Sequence, residues 1–191
     1  MAAHRRRRRR GRYLAGVAAV TLIGCVPAPA PGPVIVYGDS LTLEAAPYLQ
    51  GLVVRARGGT APCDWWWSMP YDAAHYQPRR VLVAFTGNLI TPCTARWADR
   101  LTAYRAMLAE LARRWPSTPV TLIGGPDSTT GTYPYTAAIR QLVAVTAFEH
   151  RWGYADASRA LAGLPRAADG FHLTGPSAVA YAQLITSAAR A

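Results

Sequence analysis

From residue 34 onward, short runs of apolar and β-branched residues alternate with longer stretches in which apolar positions recur every three or four residues. The short runs are VIVY at 34–37, LVVRA at 52–56, VLVAF at 81–85, VTLI at 120–123 and GYAD near 153–156. Each has the length and composition of a strand. Helices are predicted between them, near 41–50, over 97–115, over 134–151 and over 176–190. The clearest is WADRLTAYRAMLAELARRW at 97–115, where Leu101, Tyr104, Leu108 and Leu111 repeat at helical spacing and Pro116 follows the end. Such alternation marks an α/β fold, a parallel sheet with helices on both faces.

Composition narrows this to one domain, since 191 residues with 51% hydrophobic and 16% charged content suit a single core. The formal charge of +11 suggests nucleic acid until its location is read: seven of the 21 basic residues, Arg5 to Arg10 and Arg12, fall in the first twelve positions. The 14 that remain against 10 carboxylates leave +4, short of the clustered basic face a nucleic-acid binder needs. No nucleic-acid partner is expected. Every basic residue is Arg and none is Lys, alongside abundant Ala, which reflects a composition bias more than a site.

The arginine run HRRRRRRGR leads into YLAGVAAVTLIGC, a basic segment followed by a short apolar one, which is the layout of an export signal over residues 1–24. Tyr13 to Gly24 falls short of the ~20 apolar residues a membrane-spanning helix needs. Leu22-Ile23-Gly24-Cys25 resembles a bacterial lipobox, which implies that Cys25 is lipid-modified and becomes the mature N-terminus; the alternative is an ordinary signal peptide and a secreted protein. Prolines alternate through VPAPAPGP, so residues 25–33 read as an extended tether that holds the 34–191 domain ~25 Å from its anchor. With Cys25 assigned to the lipid, Cys63 and Cys93 are an even pair in an oxidising compartment. A disulfide is expected; two free buried thiols are the alternative.

In a parallel sheet the strand-to-helix loops share the carboxyl edge, where open α/β folds place their ligands. Residues just after strands are therefore the site candidates. Ser40, between the first strand and a helix start, is exposed where the helix dipole favours developing negative charge, though a capping role for Asp39 or Ser40 is equally sound physics. In DGFHLTG, Asp169 and His172 stand three apart before the last helix, which lets the carboxylate orient the imidazole and turns the other ring nitrogen toward Ser40. Asp72 and His75 share this spacing, but they precede the third strand and are expected at the opposite edge. Ser128 follows the fourth strand and reads as a loop residue lining the pocket. Gly59 offers a backbone N–H without a Cβ in the way, and Asn88 an amide N–H; with the Ser40 N–H they compose a candidate oxyanion hole. Of Trp65, Trp66 and Trp67, at least one must pack into the core, which leaves another for the floor of an acyl or sugar pocket.

GDS-L-T at 38–42, a Gly after the second strand, G-N after the third and D-x-x-H before the last helix, in this order over residues 38–172, resemble the four blocks of the SGNH, or GDSL-type, hydrolase family. The resemblance implies a flavodoxin-like three-layer α/β/α sandwich on a parallel five-stranded sheet. It also implies Ser40 as nucleophile, His172 as base, Asp169 as its orienter, and Ser40, Gly59 and Asn88 as oxyanion donors. Where the family often has G-x-N-D, this chain has Thr86-Gly87-Asn88-Leu89, so the bonding of that loop is open. A 63–93 bridge would tie the two donor loops together. Asp39 is given no chemistry beyond holding its turn.

The function expected is a serine esterase acting through an acyl-enzyme on a small-molecule or polysaccharide ester, with no metal or cofactor called for. It would be exported and lipid-anchored on the extracellular face of the membrane. A catalytically silent glycan-binding module or an acyltransferase on the same fold are the alternatives. A dinucleotide-binding oxidoreductase is disfavoured, since no G-x-G-x-x-G follows the first strand.

Overall fold

The computed structural model describes residues 32–191. The export signal, the Cys25 lipid attachment and the tether up to residue 31 lie outside the described residues.

Five strands, β1 (Val34–Gly38), β2 (Leu52–Ala56), β3 (Arg80–Ala84), β4 (Val120–Gly124) and β5 (Gly153–Asp156), form one sheet in the order β2-β1-β3-β4-β5. All four neighbouring pairs are parallel. Parallel strands need crossovers, and helices supply them: α1 (Ser40–Ala45), α2 (Met69–Tyr76), α3 (Arg100–Arg114), α4 (Thr136–His150), α5 (Ala157–Ala160) and α6 (Gly175–Arg190). β1 and β4 are buried along their whole length, which is why they read as continuous apolar runs with no alternation. Ile35, Tyr37, Val81, Val83 and Leu122 face the core under α2, α3 and α4. Val34, Val36, Leu82, Ala84 and Ile123 face the other core, under α1, α5 and α6. The result is the three-layer α/β/α sandwich. Strand order reverses between β1 and β3, the point at whose carboxyl edge open α/β sheets place their ligands.

Several elements differ from the sequence expectation. The helix expected near 41–50 stops at Ala45 and closes with one 3₁₀ turn, Ala46–Tyr48, because Pro47 has no N–H to continue the α pattern. The 97–115 helix begins at Arg100, where the Asp99 carboxylate caps it by accepting from the Thr102 N–H at 2.6 Å. Leu101 does not join its buried stripe, which is Ala103, Tyr104, Met107, Leu108 and Leu111. α2 was not anticipated, since MPYDAAHY has no periodic apolar face.

The Asp72–His75 stretch therefore lies on α2 and not in a connection, with His75 in the last turn toward the amino edge and Asp72 reaching under the sheet. Asp72 is fully buried against the sheet and accepts from the Tyr37 hydroxyl at 2.7 Å and from Arg55 Nε and Nη2 at 3.1 and 2.6 Å. His75 instead stacks on Tyr71 with ring centroids 5.2 Å apart. This Asp is structural: three donors converge on it from two adjacent strands. Asp72→Ala strands the Arg55 charge and the Tyr37 hydroxyl, and should lower the unfolding free energy by about 3 kcal/mol in urea titrations. His75→Ala should stay within about 0.5 kcal/mol of the parent.

Candidate active site

Ser40 is the first residue of α1, two positions past the buried end of β1, and it is half-exposed at the carboxyl edge. Its Oγ lies 3.0 Å from His172 Nε2. On the far side of the ring, Nδ1 lies 2.5 Å from Asp169 Oδ2. A carboxylate can only accept here, so it holds the proton on Nδ1 and leaves the Nε2 lone pair for the Ser40 hydroxyl.

The Asp–His turn is built to keep this alignment. Asp169 Oδ1 accepts from the N–H groups of Phe171 and His172, both at 3.0 Å. Burial raises the Asp169 carboxyl, but the bonds from the His172 ring and from these two N–H groups outweigh it and bring the carboxyl down to about 2. The loop after β4 clamps the turn from outside: Thr129 N–H donates to the Gly170 carbonyl at 2.8 Å and the Thr130 hydroxyl to the Asp169 carbonyl at 2.6 Å. From inside, Glu44 on α1 accepts the Leu173 N–H at 2.8 Å, linking the histidine loop to the serine helix. The Tyr133 ring meets the His172 ring edge-on at 6.1 Å and packs on Phe171 at 4.5 Å.

Asp39 does more than hold its turn. Fully buried, it accepts the Leu41 N–H on Oδ1 at 3.2 Å, capping α1. Its Oδ2 accepts from Thr86 N–H, the Thr86 hydroxyl and Asn88 Nδ2 at 2.8, 2.6 and 3.2 Å. One carboxylate thus joins the serine turn to the loop after β3. Burial pushes Asp39 up to about 6, with the bonds from Thr86 and Leu41 and the nearby His172 opposing the shift.

The three expected donors are placed differently from one another. The N–H groups of Ser40 and Gly59 have no hydrogen-bond partner among the described residues. Gly59 has φ 72°, a left-handed conformation that glycine takes without strain, and the space a Cβ would occupy is filled by Ile90. Asn88 is engaged: Nδ2 donates to Asp39 and also to the Thr60 carbonyl at 3.3 Å. Because both neighbours are acceptors, the amide orientation follows from the network. The loop around it is held without a following acid. Gly87, at φ 118°, donates its N–H to the Tyr104 hydroxyl at 2.9 Å and accepts from Arg100 Nε at 2.7 Å.

The Cys63–Cys93 disulfide is present and joins the loops after β2 and β3. Beside it Asp64 accepts from Ala61 N–H and the Thr91 hydroxyl, each at 2.9 Å, a second tie between the same loops. The tryptophans divide as a triplet must: Trp65 packs toward the core against Tyr37, Trp66 lies under Arg114, and Trp67 is exposed. Their described contacts are with Tyr37, Arg57, Arg96 and Arg114 and not with Ser40. Ser128 remains in the loop after β4, its Oγ 3.4 Å from the Thr130 hydroxyl.

Sequence reasoning missed Glu44, Thr86, Tyr104, Arg100, Thr129 and Thr130. Only Glu44 left a signal, one helical turn from Ser40 on the same predicted helix.

Comparison with solved structures agrees with this architecture. A GDSL-like lipase from Bacteroides thetaiotaomicron superposes with a TM-score of 0.65 at 16% identity, covering 82% of this chain and 87% of that one. A lipase/acylhydrolase from Enterococcus faecalis gives 0.62 at 16% identity over 81% and 93% of the two chains. An acetylxylan esterase from Geobacillus stearothermophilus gives 0.65 at 15% identity over 84% and 94%. The chain has the fold of these proteins. No family model matches its sequence, and no curated protein does.

Asp39 binds its proton more tightly folded, at about 6, than at its ordinary 3.8. Its contribution to stability is full below the lower value and lost as pH rises through the upper one. Asp39→Asn removes that titration, while Asp169 is common to both proteins and cancels. Urea unfolding at pH 4 and pH 7 should show the wild type losing about 2 kcal/mol relative to the variant over that interval; a constant difference would show that the titration has been misassigned.

Proposed function

We propose that residues 34–191 are a serine esterase of the SGNH, or GDSL-type, hydrolase family, cleaving a carboxylic ester through an acyl-enzyme on Ser40. One observation carries the reading: a hydroxyl, an imidazole and a carboxylate stand in hydrogen-bonded line at the carboxyl edge of the sheet, with Ser40 and His172 132 residues apart in sequence. The fold shared with lipases and acylhydrolases supports it.

Ser40 Oγ attacks the ester carbonyl carbon as His172 Nε2 takes its proton. Asp169, ionised far below neutrality, stabilises the imidazolium that forms. The oxyanion is met by the unpartnered N–H groups of Ser40 and Gly59, the first with the α1 dipole behind it. Asn88 adds a third donor by sharing the hydrogen now on Thr60, the longer of its two bonds. Collapse expels the alcohol, which leaves with the proton from His172. A water then gives a proton to Nε2, attacks the acyl carbon and releases the acid, restoring the Ser40 hydroxyl.

The substrate we favour carries a small acyl group on a carbohydrate oxygen. Tyr133 stands beside the histidine at 6.1 Å, with Tyr135 6.1 Å further on and Arg100 3.6 Å over it, aromatic and guanidinium surfaces suited to a sugar ring. An acetylxylan esterase with the same fold supports this choice. Export and lipid attachment at Cys25 belong to the same proposal, and a disulfide, which needs an oxidising compartment, supports them.

Release of nitrophenol from p-nitrophenyl acetate tests the reading. Ser40→Ala and His172→Ala should each lower kcat by at least ~10⁴, and Asp169→Asn by a similar factor. A folded wild type that turns over no acyl length and takes no fluorophosphonate label on Ser40 would falsify it. Removing the disulfide as Cys63→Ser with Cys93→Ser should cost about 3–4 kcal/mol of stability for a loop of 30 residues. Because the bridge braces the Gly59 and Asn88 loops, kcat should fall more than KM rises; equal kcat would limit the bridge to stability.

A further inference from the structure

The amino edge of the sheet, opposite Ser40, gathers charge that ester cleavage does not use. In this topology the strand starts and the helix ends share that edge. Along it lie Arg79 and Arg80 at the start of β3, Arg113 and Arg114 in the last turn of α3, Arg151 just past α4, and Arg190 ending α6. Glu110 and Glu149 are the acidic side chains there. Residues 32–191 hold 14 arginines against 10 carboxylates. Six against two at this edge is thus the domain's whole side-chain excess, and the remainder balances at eight against eight.

Arginines at helix ends have an ordinary reason to be there, since each helix C-terminus carries about half a negative charge. That accounts for Arg113, Arg114, Arg151 and Arg190; Arg80 donates to the Thr121 hydroxyl on β4 at 3.0 Å, which leaves Arg79, exposed and on no helix, with no side-chain partner among the described residues. Two further features share the edge. Phe148, in the last turn of α4, is 86% exposed, next to a His150–Trp152 stack with centroids 4.6 Å apart. Two grooves of about 370 Å³ open there and meet at Ser187; Arg80 and Thr121 line one, Arg190 and Thr186 the other. Each groove offers a guanidinium and hydroxyls, donors that suit a phosphate ester.

We infer that the amino edge is a docking face for a bilayer bearing anionic phospholipid: Arg79, Arg80, Arg151 and Arg190 meet headgroup phosphates, Phe148 enters the interface, and Ser40 faces away from the surface. An exposed apolar ring at the same edge as the cations is what a lipid interface accommodates, whereas a soluble polyanion would need the charges alone. The chain also enters the domain at this edge, where the Arg79 N–H donates to the Pro33 carbonyl at 3.1 Å. Gly32, against the Tyr76 and Gln77 carbonyls, therefore lies on the side given to the membrane. None of this draws on the chemistry of Ser40.

Cosedimentation of residues 32–191, which hold all five strands and both cores, with phosphatidylcholine vesicles with and without phosphatidylglycerol tests the inference. Binding should require phosphatidylglycerol and weaken as salt is raised. The combined Arg79→Ser, Arg151→Asn, Arg190→Ser variant should bind about a hundredfold more weakly, and Phe148→Ser about tenfold. Arg96→Ser, Arg105→Ser and Arg159→Ser together, exposed arginines away from this edge, should change affinity less than about threefold. Circular dichroism checks folding, and single Arg79→Ser carries the test if the triple variant unfolds. The inference is overturned if no vesicle is bound, if both triple variants weaken binding equally, or if heparin binds as tightly as vesicles and Phe148→Ser has no effect. Loss of thermal stability in the edge variant with unchanged vesicle binding likewise overturns it and assigns these arginines to the helix ends.

Discussion

The Asp39 carboxylate is the constraint on which the rest of the site depends. It is buried completely, a position a charge occupies only when donors surround it. Those donors come from two places: Leu41 on the serine helix, and Thr86 with Asn88 after β3. Satisfying one buried charge thereby sets the distance between the nucleophile and the loop that carries a candidate oxyanion donor. Thr60 extends the same network to the third loop, accepting from Asn88 on its carbonyl and donating its hydroxyl to the Gly38 and Arg57 carbonyls. Three strand ends are joined by bonds around a single residue, so the carboxyl edge at the β1–β3 reversal is a braced structure.

The histidine side of the site is held by different means. No bond from Asp39 reaches the 167–173 turn among the described residues; that turn hangs from Glu44, Thr129 and Thr130, and its base is the α6 core containing Phe171 and Leu173. The two halves meet at Ser40, which stands on the Asp39 cap and faces His172 across a 3.0 Å bond. An arrangement of this kind separates two tasks. Positioning of the Gly59 and Asn88 donors is governed by the Asp39 network and the layer of α2, α3 and α4, and positioning of the serine and the base by α1 and α6.

How much of this was legible follows from how local each determinant is. The five strands were readable because they are short, apolar and bounded by glycine or polar turns, so their signal lies within five residues. Ser40, Asp169 and His172 were readable because a strand-to-helix junction and a three-residue spacing are local patterns too. Asp39 was quoted in the same motif yet given no partner, since Thr86 stands 47 positions away and nothing near Asp39 announces it. α2 escaped because Met69, Pro70 and Tyr71 show no 3.6-residue period, and its one inward polar residue, Asp72, is paid for by Arg55 on β2. That burial also moved Asp72 away from the edge expected for it, while His75 in the last turn of α2 keeps to the amino edge: topology assigns an edge to loops, but it does not say how far along a helix a side chain reaches under the sheet.

Leu89, where the resembling family often has an acid, shows how the same end is met by other residues. An acid there could bond nearby backbone; Leu89 instead packs against the core beneath α3 and α4. The polar demands of Gly87 then fall to Tyr104 and Arg100, both on α3, and the Arg100 guanidinium is in turn stacked on Tyr135 ahead of α4. Gly87 must also take φ 118° to pass the Tyr135 ring, which a Cβ would strike. The Asn88 loop is consequently fastened at both of its faces, by Asp39 from the sheet and by α3 from outside. A substitution on the outer helix can therefore shift Asn88 without touching the serine, so the placement of the Asn88 donor is a property of the whole α3–α4 layer as much as of the loop that carries it.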